Sequence, residues 1–124
     1  MTKYLYRLTG VVTTGQSRGS KLGFPTINLA YVPGVDFGVY ASCIEINQVR
    51  YNSITNVGPA LSFGETEPKI ETFVFDFNDL VYNQPVVLYL VEKIMELRKF
   101  NQPHELIQQI YQDVAKAKSI LAKL

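Results

Sequence analysis

Residues 85–124 read PVVLYLVEKIMELRKFNQPHELIQQIYQDVAKAKSILAKL, and the period of the apolar residues changes partway through. The first ten, PVVLYLVEKI, are rich in β-branched, leucine and aromatic residues, and VVLYLV within them is apolar without alternation. A run that is apolar on both faces suits a strand covered on both sides. From Asn101 onward the apolar residues include Leu106, Ile107, Ile110, Val114, Ala117, Leu121 and Leu124. These spacings draw one stripe along a helix. Asn101 is placed to cap its start, and Pro103 fits the first turn, where a missing N–H costs little. Upstream, KYLYRLTGVV, GVYASCIEI, VRYNSITNV and KIETFVFDF also read as strands, separated by Gly-, Pro- and Asn-rich connections. Strands followed by one amphipathic helix predict a mainly β fold, a small closed barrel with the helix packed across it.

The chain has 124 residues, which fits a single domain over 1–124 and is long enough to bury a core without disulfide or metal staples. A formal net charge of +1 and no basic run give no reason to expect nucleic acid. No apolar run is long enough to span a bilayer, and MTKYLYRLTG does not resemble a signal peptide, so no membrane partner is expected. Cys43 is the sole cysteine, which excludes an internal disulfide and makes a reducing cytoplasm the default location. Within VYASCIEI it reads as a small buried hydrophobe. The sole histidine, His104, lies far along the chain beside Pro103.

One stretch, RGSKLGFPTINL at Arg18–Leu29, admits two readings. It matches neither the Walker phosphate loop nor the G-x-G-x-x-G dinucleotide pattern. Its glycines suit a hairpin loop that needs positive φ. They equally let backbone N–H groups approach an anion that Arg18 and Lys21 would neutralise. Thr26 and Asn28, two apart, share a side of an extended segment. A hydroxyl and an amide oxygen there are hard ligands suited to Mg²⁺ held jointly with phosphate, or simple turn chemistry.

In KIETFVFDF, alternation places Glu71, Phe73, Phe75 and Phe77 on one face and Ile70, Thr72, Val74 and Asp76 on the other. Phe75 and Phe77 are expected to face the core, with Glu71 at the mouth of that same face. A carboxylate partly withdrawn from water there would serve as a base. The alternative is a strand-end carboxylate turned to solvent.

Taken together, the sequence resembles the riboflavin kinase family, which also forms the C-terminal module of bifunctional bacterial FAD synthetases. The resemblance runs through Gly10-Val11-Val12, Gly15, Gly19, SKLGFPTINL, GVYA at Gly38–Ala41 and NVG at Asn56–Gly58. It continues through Glu71-Thr72 and Asp76-Phe77 to Phe100, Leu106, Ile110 and Asp113. GFPTIN followed by GVYA is its most specific part.

The resemblance implies a six-stranded Greek-key barrel with a C-terminal helix, and transfer of the ATP γ-phosphoryl to the ribityl 5′-hydroxyl of riboflavin, giving FMN. It implies that Gly15, Gly19, Ser20, Lys21 and Gly23 cover the nucleotide phosphates, with Pro25, Thr26 and Asn56 beside them. Thr26 and Asn28 would hold Mg²⁺, and Glu71 would be the catalytic base. Riboflavin/FMN and ATP/ADP are the implied partners, with an adenylyltransferase domain if the chain is a module of a larger synthetase. The chain departs from the family pattern at Phe73, at Leu61-Ser62-Phe63 and at Tyr82-Asn83. It also carries Met95 and Leu97 where the family has an Arg and a Glu, with Glu96 and Arg98 one residue along. The resemblance implies that these four belong to a flavin-side loop. The departures keep open a catalytically weakened or inactive relative, binding flavin or nucleotide in a regulatory role.

Overall fold

The computed structural model describes residues 3–13, 24, 26–77 and 81–124. Its strands are β1 (Tyr6–Val11), β2 (Ile27–Ala30), β3 (Gly38–Ile46), β4 (Val49–Gly58), β5 (Lys69–Val74) and β6 (Pro85–Met95), and α1 (Pro103–Leu121) follows. A short 3-10 turn, Leu61–Phe63, lies between β4 and β5. All six strands join one antiparallel sheet in the order β1-β6-β3-β4-β5-β2. The sheet curls until its edge strands approach each other. A bridge between Thr13 and Asn28 crosses that seam, with the Thr13 N–H donating to the Asn28 carbonyl at 2.8 Å. The mainly β barrel with a terminal helix is therefore as expected, though the described part of the seam is closed at one point and not by a ladder.

β6 explains why its sequence lacks alternation. Val86, Leu88 and Leu90 point into the barrel interior with Tyr40, Ile44 and Ile70. Val87, Tyr89 and Val91 lie on the outer face, in a second cluster with Ala41, Ile54, Phe75 and the helix residues Ala117 and Leu121. Both faces are removed from water, so both carry apolar side chains. The interior also holds four fully buried hydroxyls, from Ser42, Ser53, Thr55 and Thr72. Ser42 Oγ lies 2.7 Å from both Ser53 Oγ and Thr55 Oγ1, and Thr55 Oγ1 lies 2.9 Å from Thr72 Oγ1. They satisfy one another across β3, β4 and β5, as buried polar groups must.

Several local expectations are corrected. β2 was absent from the predicted strands; it is only INLA, between the glycine stretch and the turn at Pro33-Gly34, too short for an alternation signal. β5 ends at Val74, because Asp76 takes a left-handed conformation at φ 58° and turns the chain. That turn sends Phe75 to the helix-side cluster while Phe77 packs against the barrel interior, so the two do not share a face. The interior face of β5 is Ile70, Thr72 and Val74, and Glu71 lies on the outer face. Finally, α1 is preceded by Gln102 as its cap residue, not Asn101, with no side-chain capping bond, while Pro103 opens the helix as expected. Leu124 lies past the helix end and is exposed. Cys43 is buried, and burial pushes its thiol above the ordinary value.

Candidate functional site

The outer face of the sheet near its β2 edge carries a row of polar side chains. Register sets Asn28 opposite Glu71 and Glu71 opposite Asn56, across β2, β5 and β4. Thr26, just before β2, donates from Oγ1 to Glu71 Oε2 at a long 3.4 Å. The Asn28 amide donates from Nδ2 to the Thr26 carbonyl at 3.5 Å. Thr26, Asn28 and Glu71 thus meet in one corner although they are separated by 45 positions along the chain. Lys69, also on the outer face of β5, closes the corner. Its ammonium lies 3.4 Å from Glu71 Oε1 and 2.7 Å from Glu65 Oε1. Burial opposes the Lys69 charge, but hydrogen bonds and charges from Glu65 and Glu71 outweigh it and hold the ammonium above its ordinary value.

Asn28 is nine-tenths buried, and its Oδ1 has no hydrogen-bond partner among the described residues. A buried acceptor left unpaired costs about 1–3 kcal/mol. That oxygen beside the Thr26 hydroxyl fits a hard divalent cation. Among the described residues no cluster of three or more His, Cys, Asp or Glu could hold a metal alone. A cation here would therefore complete its shell with phosphate and water, as Mg²⁺ commonly does.

The corner opens onto a cavity of about 180 Å³ between the sheet, the 3-10 turn and α1. Its walls are mostly apolar: Phe24, Phe73, Met95, Leu97 and Phe100, with Leu106 and Ile110 from the helix. Thr26, Asn56, Lys69 and Glu71 line its polar end, and Gln109 and Asp113 enter from α1. Burial pushes the Asp113 carboxyl above its ordinary value; the hydrogen bond from Gln109 Nε2 at 2.9 Å and the charges of Lys116 and Arg98 oppose this. Of the four loop residues singled out in sequence, Met95, Leu97 and Arg98 line the cavity. Arg98 lies over the Phe100 ring at 4.9 Å. Glu96 turns away and binds Lys93 Nζ at 2.8 Å on the exposed side.

The sequence reading missed Lys69 and Gln109, and gave no role to Asp113 or to Ser62, both of which also line the cavity. Lys69 stands two residues before Glu71, the spacing that shares a strand face. Asp113 interrupts the apolar stripe between Ile110 and Ala117, where a carboxylate must be buried. Gly15, Gly19, Ser20, Lys21, Gly23 and Pro25 lie outside the described residues.

The sequence model of a family described as Flavokinase: Riboflavin kinase matches residues 2–121. The chain is 38% identical over 120 residues to the bifunctional riboflavin kinase/FMN adenylyltransferase of Bacillus subtilis (strain 168), covering 90% of this chain and 37% of that protein. It is 33% identical over 110 residues to the RNA-binding riboflavin kinase RibR of the same organism, covering 87% of this chain and 48% of the relative. The chain therefore spans less than half the length of these relatives. Among solved structures, a macrolide-efflux protein from Streptococcus pneumoniae superposes with a TM-score of 0.79 at 31% identity, over 90% of this chain and 38% of that one. Riboflavin kinase from Trypanosoma brucei superposes with a TM-score of 0.67 at 17% identity, over 99% of this chain and 83% of that one, a likeness of fold. No helix among the described residues is long and apolar enough to cross a membrane.

Proposed function

The chain belongs to the riboflavin kinase family, and from that premise we propose that it transfers the γ-phosphoryl of ATP to the ribityl 5′-hydroxyl of riboflavin, giving FMN and ADP. The observation that carries this reading is the position of Glu71. Its carboxylate stands where a polar corner, Thr26 and Asn28, meets an apolar cavity lined by Phe73, Met95 and Leu97. One end suits phosphates and the other a flat, largely apolar ring.

In this scheme the flavin hydroxyl oxygen forms a bond to the γ-phosphorus as the bond from that phosphorus to the β–γ bridging oxygen breaks. The hydroxyl proton passes to the Glu71 carboxylate. Lys69 and Thr26 hold that carboxylate in place from two sides. Thr26 and Asn28 supply the oxygens for Mg²⁺, which when bound neutralises phosphate charge. Asn56, with Gly15, Gly19, Ser20, Lys21, Gly23 and Pro25, is assigned to the nucleotide side. Phosphoryl transfer asks chiefly for such positioning and charge neutralisation. Gln109 and Asp113 offer hydrogen bonds at the edge of the apolar wall, for the polar rim of the ring.

The bifunctional name and greater length of the first Bacillus subtilis relative support an adenylyltransferase domain as a partner, and the sole cysteine favours a cytoplasmic setting. One specific observation favours a second reading, a weakened relative that binds flavin in a regulatory role: Met95 and Leu97, not an Arg and a Glu, line the cavity.

The test is FMN formation from riboflavin, ATP and Mg²⁺. Glu71→Gln keeps the shape and removes the base, so turnover should fall by about 10²–10⁴ with flavin affinity nearly unchanged. A wild type that binds flavin and Mg-ATP without turnover would support the regulatory reading. Near-normal turnover in Glu71→Gln would remove Glu71 from the chemistry.

A further inference from the structure

We infer that Ser62 is the catch of a strap, residues 96–100, that lies across the apolar cavity and sets how long a flavin stays in it. The inference rests on the flavin-phosphorylating reading above and adds a positioning residue to it.

After β6 ends at Met95 the chain leaves the sheet and runs without regular structure to Gln102. Leu97, Arg98 and Phe100 of this strap line the cavity. At its near end Glu96 is tied to Lys93, whose ammonium also binds Asp36 at 2.8 Å. Asp36 and Glu96 are both largely exposed, so water and salt weaken that tie. In the middle, Leu97 lies over Gly58. A Cβ built at Gly58 would come within 2.5 Å of Leu97 Cδ1 and 3.2 Å of the Phe37 ring, so only a glycine leaves the seat open.

At the far end the Phe100 N–H donates to Ser62 Oγ at 3.0 Å, in part-buried surroundings. Ser62 belongs to the 3-10 turn, which forms another wall of the same cavity. This bond therefore joins two cavity walls 38 residues apart in sequence, with no strand ladder between them. A flat ring held beneath Leu97 and Phe100 can leave that way only when the strap lifts. Lifting breaks the Ser62 bond, and removing the hydroxyl makes lifting easier. Ser62 touches Phe100 and no reacting atom, so its effect should appear in ligand retention.

The test compares wild type, Ser62→Ala and Ser62→Thr. FMN release is followed by flavin fluorescence after rapid dilution, and amide hydrogen exchange is followed at Phe100. Ser62→Ala should release FMN about three- to tenfold faster, as expected for one lost hydrogen bond. Its Phe100 amide should exchange faster while β6 stays protected, and Ser62→Thr should restore both. A folded Ser62→Ala with wild-type release overturns the inference, and so does a Ser62→Thr that behaves like Ser62→Ala. Wild type that binds no FMN overturns the flavin reading. Exchange at Phe100 separates that result from failure of the catch, which is refuted by equal rates in wild type and Ser62→Ala.

Discussion

Asn28 uses two oxygens for two tasks. Its main-chain carbonyl accepts from the Thr13 N–H across the seam, and its side-chain Oδ1 is buried without a hydrogen-bond partner among the described residues. Separating the two is simple, because Asn28→Ala leaves the carbonyl in place. If Oδ1 is a metal–phosphate ligand, this variant should weaken binding of a non-hydrolysable ATP analogue with Mg²⁺ by ~1.5–3 kcal/mol, read by isothermal titration, with the barrel intact. Unchanged affinity in the folded variant would leave Asn28 a purely structural residue. The pairing of Thr26 with Asn28 was legible, since a spacing of two fixes a common side wherever the chain is extended. The face of Glu71 was not. Alternation distinguishes two faces but does not say which is inside when the helix and cavity make the outer face apolar too. Lys69 escaped for a related reason: a lysine at the first position of a strand reads as solvent-facing until the carboxylates that flank it are placed beside it.

At the scale of elements, α1 carries the clearest pH dependence. Burial is the main cause of the raised Asp113 pKa. Folding therefore favours its protonated form. That contribution is complete below the ordinary carboxylate range and is lost as pH rises through the raised value. Above the raised value the fold buries a carboxylate whose charge Gln109, Lys116 and Arg98 only partly compensate. Asp113→Asn should thus raise the midpoint of thermal unfolding at pH 7 and lose that advantage near pH ~3, where the native side chain is itself neutral. A variant without gain at pH 7 would mean that Gln109, Lys116 and Arg98 already offset the burial. The helix was legible from its stripe, and so was the opening proline. Its cap residue shifted by one because Gln102, not Asn101, holds the extended conformation before the first turn. β2 was not legible as a strand because four residues carry too little pattern; its partner β5 defines it.

Across the whole molecule, strand order was the least readable property. Apolar patterning suggested strands closing into a small barrel, and only the family resemblance supplied six strands in Greek-key order, since nothing local to β1 says that it pairs with β6. The interior hydroxyls were equally hidden, spread over GVYASCIEI, VRYNSITNV and KIETFVFDF as ordinary strand residues. Thr55 is the centre of that network, bonded to Ser42 and Thr72. Thr55→Val conserves shape but takes one partner from Ser42, which keeps Ser53, and removes the partner of Thr72 inside the barrel. It should lower stability by about 1–3 kcal/mol in urea denaturation. A loss below about 0.5 kcal/mol would mean that the remaining hydroxyls repair the network among themselves.

The seam at Thr13–Asn28 also bears on solubility. Among the described residues it is the one backbone bridge between the β1 and β2 edges; if it parts, those edges are free to separate and to template pairing between molecules. Thr13→Pro removes the donor of the bridge and should lower the temperature at which heated samples begin to scatter light. A nucleotide–metal complex bound through Asn28 would favour the closed form by mass action and delay that onset. On this view a substrate of the protein doubles as a guard against its self-association, and starvation for that substrate would leave the barrel prone to clump.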